Sequence, residues 1–275
     1  MTRVALYQAQ TGIDPERNAA DLVKAVEAAR AGGAAMLFTP EMSGLLDRDR
    51  ERSADKVRSE ADDPVLAAVR EAARDQGIWV HLGSLALQGP DGRLVNRGFV
   101  IDDQGEVRAR YDKIHLFDVD LPTGESWRES AVYAPGERLV VVEGTPLGKL
   151  GLAICYDLRF PALFARLAEA GAEVISVPAA FTVPTGRAHW SVLLRARAIE
   201  AGLFVVAAAQ AGKHEDGRET YGHSLVADPW GELVLEMGGE PGLAFAEVDL
   251  GRIAEVRGRI PALQHRRSMP EVERA

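Results

Sequence analysis

The chain has 275 residues, 47% of them hydrophobic, and a formal net charge of −9 at pH 7. That acidic balance argues against nucleic acid or an anionic membrane surface as a partner, because both reward a basic face. A single cysteine excludes an internal disulfide and a cysteine-rich zinc site.

The opening segment MTRVALYQAQTG turns polar too soon for a signal peptide, and no apolar run approaches membrane-spanning length. A cytoplasmic protein is therefore expected. Val4 to Ala9 reads as a short buried strand. Asp14-Pro15 then starts a helix, a capping carboxylate followed by proline at the first helical position. Leu22, Val26 and Ala29 recur at helical spacing, and Gly32-Gly33 stops the run. Ala34 to Phe38 is a second strand, closed by Thr39-Pro40-Glu41. Asp63-Pro64 repeats the helix-start device, with Leu66, Val69 and Ala73 on one face and Gly77 as the stop. Ile78 to Leu87 reads as a strand, and Phe99–Ile101 and Val107–Tyr111 flank a hairpin turn at Asp102-Asp103-Gln104-Gly105. Lys149 to Ile154 is a strand that runs into Cys155, after which Arg159-Phe160-Pro161 opens a helix ending near Gly171. A strand (Val174 to Val177), a helix (His189 to Glu200) and a strand (Leu203 to Ala209) follow. Then come a hairpin around Asp228-Pro229-Trp230-Gly231 and a last strand, Leu243 to Val248.

Strands alternate with helices, but hairpins interrupt the rhythm, which is not the pattern of a pure doubly wound sheet. It suits a single α/β domain with two sheets inside and helices outside, a four-layer α-β-β-α sandwich. The domain is expected to span residues 1–250, with residues 251–275 as a tail that either crosses to a partner subunit or frays.

Three ionisable residues end predicted strands: Glu41 after AAMLFTP, Lys113 after VRARYD, and Cys155 after LGLAI. The ends of strands are where layered α/β proteins gather their chemistry. Each alone has an ordinary reading: a solvated carboxylate, a surface ammonium, a small buried thiol. Together they make an acyl-transfer set of nucleophile, proton carrier and oxyanion stabiliser. A thiol on a tight strand-to-helix turn also has backbone N–H groups close by.

The segments LFTPEMSG, YDKIHLFD and GLAICYDLRFP resemble the three signature segments of the nitrilase superfamily of carbon–nitrogen hydrolases, and AHWSVLLRARAIE adds to the likeness. The resemblance covers nearly the whole chain. It implies a Cys155-Glu41-Lys113 triad, an α-β-β-α sandwich that pairs into a homodimer or higher oligomer, and no cofactor or metal. GESWRESAVYAPG resembles the stretch that carries a second active-site glutamate, here Glu129. Within the superfamily, FTVPTGRAHW, AAAQAGKHEDGRETYGHSLVADPWGE and RIPALQHRRS are most similar to the deaminated glutathione amidases, and the omega-amidases are the neighbouring branch. The implied reaction is attack by Cys155 on an amide carbon, with Glu41 moving the proton. Lys113 and the backbone N–H of Tyr156 face the oxyanion, and water then cleaves the thioester. For an anionic amide substrate the expected contacts are Arg159, Phe181, Arg187, Arg195 and Lys213, since arginine grips carboxylates bidentately.

Three other readings compete. A Cys-His-Asp triad would recruit His223 and Asp228, although Cys155 lacks the flanking glycines of a G-x-nucleophile-x-G elbow. A zinc enzyme finds no H-E-x-x-H among the six scattered histidines. A binding protein on the same fold is the non-enzyme alternative.

Overall fold

The structure, a computed structural model, describes residues 1–120, 124 and 126–274. In chain order it runs β1 (Thr2–Gln8), α1 (Pro15–Ala31), β2 (Met36–Phe38), α2 (Arg50–Ala54), α3 (Pro64–Gln76), β3 (Trp79–Gln88), β4 (Leu94–Ile101) and β5 (Val107–Asp112). A small hairpin, β6 (Asp118–Asp120) and β7 (Ser126–Arg128), precedes β8 (Val141–Thr145), β9 (Gly148–Leu152), α4 (Pro161–Glu169) and β10 (Val174–Ser176). The remainder is α5 (Val183–Ala201), β11 (Phe204–Ala207), β12 (Ala211–Lys213), β13 (Glu219–Tyr221), β14 (Leu225–Ala227), β15 (Leu233–Glu236), β16 (Gly242–Val248) and α6 (Gly251–Arg259).

Two six-stranded sheets form the core, in the orders β16-β1-β2-β3-β4-β5 and β15-β14-β11-β10-β9-β8. Each has three central parallel strands, β1-β2-β3 or β9-β10-β11, extended by antiparallel strands on both sides. The central strands of the first sheet are largely apolar on both faces, as a covered sheet requires. Val4, Leu6, Met36, Phe38 and Val100 point into the core shared with the second sheet. Their neighbours Ala5, Leu37, Phe99 and Ile101 point the other way, onto Leu22, Val26, Val69 and Ala73 of α1 and α3. On the far side, Leu163, Phe164 and Leu167 of α4 and Trp190 and Leu194 of α5 cover the second sheet. The four-layer sandwich expected from the sequence is the observed architecture.

Local chemistry explains the helix ends. The Asp14 carboxylate accepts from the backbone N–H groups of Glu16 and Arg17, and Asp63 accepts from Leu66, each with proline next in the chain. Gly77 closes α3 at φ +59°, a conformation glycine adopts without Cβ strain. One expectation is corrected: α5 begins at Val183, not His189, because Pro184 supplies the same first-turn signal after Thr182. Tail residues pack on their own chain. Ile253 and Val256 of α6 are buried, and the Arg257 guanidinium donates to the carbonyls of Gly202, Ala172 and Ala201.

Candidate active site

Glu41 stands in the turn after β2. That turn is held by the irregular middle of β3, where the register with β4 shifts between Leu82 and Leu85. Ser84 receives the Met42 N–H on its hydroxyl at 2.9 Å and the Ser43 N–H on its carbonyl at 2.9 Å. The Gln210 amide, in the loop after β11, donates to the Glu41 carbonyl at 2.9 Å. Met42 is forced to φ +56° by this tight path. Bulges beside active sites re-aim side chains in this way.

Lys113 follows β5. Its N–H donates to the Asn96 carbonyl at 3.0 Å, and its own carbonyl accepts from Gly136 at 2.8 Å. Cys155 follows β9 at the first residue of a short 3-10 helix, Cys155–Arg159, with φ +47°. Its N–H donates to the Pro178 carbonyl at 2.9 Å. A non-glycine residue in this left-handed region carries strain of about 1–3 kcal/mol and persists only where its surroundings over-determine it.

The side chains converge. Lys113 Nζ lies 2.9 Å from Glu41 Oε1 and 2.8 Å from Glu129 Oε2. Asn96 Nδ2 donates to Glu41 Oε1 at 2.9 Å and to Glu129 Oε1 at 3.2 Å, which fixes the orientation of its amide. Glu41 Oε2 accepts the Ala180 N–H at 2.9 Å, and Glu129 Oε2 accepts that of Phe117 at 2.6 Å. Lys113, Glu41 and Cys155 are all buried.

Two carboxylates surround one ammonium, so the cluster already carries an excess negative charge. Burial pushes the Cys155 thiol well above its ordinary range, and Glu41 pushes it further, while Lys113 pulls the other way. The resting nucleophile is therefore a thiol, and attack requires a base at that moment. Burial alone would lower Lys113, but Glu129 and Glu41 outweigh it and hold the ammonium charged.

These groups form part of the wall of a cavity of about 930 Å³. Phe117, Trp127, Tyr156 and Phe181 supply its aromatic lining, and Arg48, Arg50, Arg93, Arg128 and Arg218 its cations. Arg128 is paired with Asp120 and Arg218 with Asp216. Arg48, Arg50 and Arg93 have no carboxylate within ion-pair distance among the described residues.

Of the contacts expected for substrate, Phe181 lines this cavity, and Arg159 sits behind the lining, over the rings of Tyr156 and Phe181 at 5.9 and 5.7 Å. Arg187, Arg195 and Lys213 are exposed and do not line it. The early start of α5 turns Arg187 outward, and Arg195 donates to the Gly231 carbonyl at the other end of that helix. His223 stacks on Tyr221, and Asp228 caps its hairpin through the N–H groups of Trp230 and Glu232. Neither lines the cavity around Cys155, so the Cys-His-Asp alternative is not assembled. Among the described residues, no group of His, Cys, Asp or Glu could hold a metal ion, and no helix is long and apolar enough to cross a membrane.

Asn96 carries a signal in the sequence, a lone Asn inside the apolar strand LVNRGFVI, since Asn is depleted from strands. Asp157 lies inside the segment GLAICYDLRFP, two residues after Cys155, where the sequence alone gives it no role.

A thiol, a carboxylate and an ammonium gathered between two sheets of an α-β-β-α sandwich define a cysteine hydrolase whose proton carrier is glutamate rather than histidine. Comparison with known proteins agrees. Residues 3–258 match the carbon-nitrogen hydrolase family model. The chain is 41% identical over 268 residues to the deaminated glutathione amidase of Bos taurus, covering 96% of this chain and 81% of that protein. It superposes with a TM-score of 0.90 on the C. elegans NitFhit protein at 38% identity, covering 97% of this chain and 65% of that one, less than two thirds of its length. A glutamate and cysteine double mutant of the amidase from Nesterenkonia sp. AN1, in complex with acrylamide, aligns with a TM-score of 0.80 at 30% identity, covering 97% and 94% of the two chains. The chain belongs to the carbon-nitrogen hydrolase family, within the nitrilase superfamily, with Cys155, Glu41 and Lys113 as its triad.

Proposed function

We propose that this amidase hydrolyses deaminated glutathione to 2-oxoglutarate and cysteinylglycine. The observation that carries the reading is the Cys155 thiol facing Glu41 and Lys113 in a large cavity on whose wall Arg48, Arg50 and Arg93 have no carboxylate within ion-pair distance among the described residues. Relatives named deaminated glutathione amidase, at 40–41% identity, support the substrate. The substrate is anionic at both ends, and the arginines Arg48, Arg50 and Arg93 on the cavity wall supply local cations to receive it in an acidic protein.

The sulfur attacks the amide carbon as Glu41 takes the thiol proton. Lys113 and the Tyr156 N–H face the oxyanion, a role worth about 3 kcal/mol per donor. Collapse breaks the C–N bond, Glu41 returns the proton to the leaving amine, and a thioester remains. Water, deprotonated by Glu41, attacks the thioester carbon and releases the acid and the thiol. Glu129 orients Lys113. Arg48 and Arg93 take over the carboxylate-binding part expected of Arg187, Arg195 and Lys213, with Phe181 packing on the acyl chain and Arg159 behind it.

The test is release of 2-oxoglutarate from deaminated glutathione and, separately, from 2-oxoglutaramate, with wild type and Cys155→Ala. Preference for the first, lost in the variant, supports the proposal; preference for 2-oxoglutaramate moves the enzyme to the omega-amidases. A homodimer would cover the exposed Val192, Ile199, Trp230 and Ile260 beside the 450 Å³ groove between α5 and α6. Sedimentation of Ile199→Asp against wild type tests it.

A further inference from the structure

We infer that Asp157 is a positioning residue that ties the nucleophile to the strand end carrying the catalytic ammonium. Its carboxylate is fully buried and accepts four hydrogen bonds. Oδ1 accepts the backbone N–H of His115 at 3.0 Å and contacts the ring Nδ1 of the same residue at 2.7 Å. Oδ2 accepts the Tyr111 hydroxyl at 2.7 Å and the Ile154 N–H at 2.9 Å. Lys113 lies midway between Tyr111 and His115, and Cys155 lies between Ile154 and Asp157. One side chain therefore grips the chain on both sides of Lys113 and on both sides of Cys155. The two catalytic residues follow strands of different sheets, β5 and β9. Nothing in either sheet's own ladder sets their separation; Asp157 does.

The chemistry requires a carboxylate. Only an ionised carboxylate offers about four acceptor positions and no donor, and here all of them are used. An acceptor-only partner also assigns the His115 tautomer, with the proton on Nδ1. Tyr111 is held protonated, because burial and the neighbouring Asp157 charge raise its hydroxyl far above its ordinary range. The His115 ring is seated by Phe160, stacked at 3.5 Å between centroids. The grip on Ile154 falls on the residue just before Cys155, where φ +47° needs an external restraint. Asp157 does not line the cavity, so it acts through the placement of Cys155 and Lys113 rather than on substrate.

Asp157→Asn would turn an amide N–H onto existing donors and risks misfolding, so the test uses its partners. Tyr111→Phe keeps the ring and removes one donor. His115→Ala removes the Nδ1 contact and the stack, and His115→Asn restores a donor near the Nδ1 position without the ring. The readouts are kcat and KM, and the rate of Cys155 alkylation by iodoacetamide across pH, all per titrated thiol. Alkylation needs no amide substrate, so it reports on Asp157 even if the proposed substrate is wrong. The expected result is a kcat lower by about tenfold or more in Tyr111→Phe and His115→Ala, with KM unchanged and alkylation slowed in parallel. His115→Asn should recover most of both. If all three variants keep kcat per site and alkylation within about twofold of wild type and lose only melting temperature, Asp157 is a structural residue and the inference falls.

Discussion

Gly83 offers a sharp test of how the site is built. It lies in the irregular stretch of β3, between the turn that carries Glu41 and the loop that supports Cys155. A Cβ at this position would stand 2.6 Å from the Pro178 side chain and closer still to the carbonyl oxygens of Thr39 and Pro40. Pro178 accepts the Cys155 N–H, and Pro40 precedes Glu41. The crowding atoms are backbone and a proline ring, which cannot swing aside as a flexible side chain would. Gly83→Ala must therefore push the two loops apart by about 1 Å, since carbon contacts settle near 3.5–4.0 Å. Overpacking of this kind costs about 1–3 kcal/mol. At a few degrees per kcal/mol for a chain of this size, the melting temperature should fall by about 2–12 °C and leave the protein folded at 25 °C. The chemistry should suffer more than the fold, because a 1 Å misplacement of reacting groups costs about 100-fold. The assay is kcat per titrated thiol beside a thermal melt. A folded Gly83→Ala enzyme with wild-type kcat would show that the spacing of these loops does not set the reaction rate.

Glu41→Gln keeps the shape of the side chain and removes the base. For an amide substrate kcat should fall by about 10²–10⁴; because the Glu41 charge also pushes the Cys155 thiol up, its loss should leave alkylation no slower than in wild type, and a kcat near wild type would show that Glu41 is not the base. Arg48→Gln and Arg93→Gln should raise KM for a dianionic amide and leave kcat nearly unchanged, and an unaltered KM in both would remove them from the binding wall. Burial lowers the buried His81 to about 3, against about 6.5 when unfolded. The unfolded chain therefore binds the proton first as pH falls, so stability is full above about pH 6.5 and is lost on the way down to about pH 3. His81→Asn, which keeps a donor beside the Ser176 hydroxyl, should flatten this dependence by about 4 kcal/mol between pH 6.5 and 3.5, read by urea melts. Equal slopes in the two proteins would show that His81 is not the titrating group.

The sequence made some parts of this molecule easy to read and hid others, for physical reasons. Asp14-Pro15, Asp63-Pro64 and Pro161 marked helix starts because capping and proline act within a few residues. Strands β1, β2 and β9 stood out as apolar runs because both of their faces are covered. The hairpins β6–β7 and β12–β13 were missed because three-residue strands of mixed polarity carry no period. Glu41, Lys113 and Cys155 were legible because each ends a strand and sits in a recognisable segment. The cavity arginines were not, since Arg48 and Arg50 come from one stretch and Arg93 from another, and they reach the same cavity wall only in the folded chain. The carboxylate-gripping chemistry of arginine that points to Arg187 and Arg195 says nothing of the helix face on which they fall.

The triad itself depends on that closure. Glu41 and Lys113 hang from the first sheet and Cys155 from the second, so the reacting distance is an inter-sheet distance. Bonds between the two halves of the sandwich fix it: Asp157 to Tyr111 and His115, Gln210 to the Glu41 carbonyl, Ala180 to the Glu41 carboxylate, and His81 to Ser176 between the inner faces. Most of these bonds are buried, and a buried polar atom left unpaired costs about 1–3 kcal/mol. An apolar interface alone would hold the sheets together but would let them slide, because burial is non-directional. Hydrogen bonds have direction, and it is this small set that converts a packed sandwich into a site where a neutral thiol can meet its base.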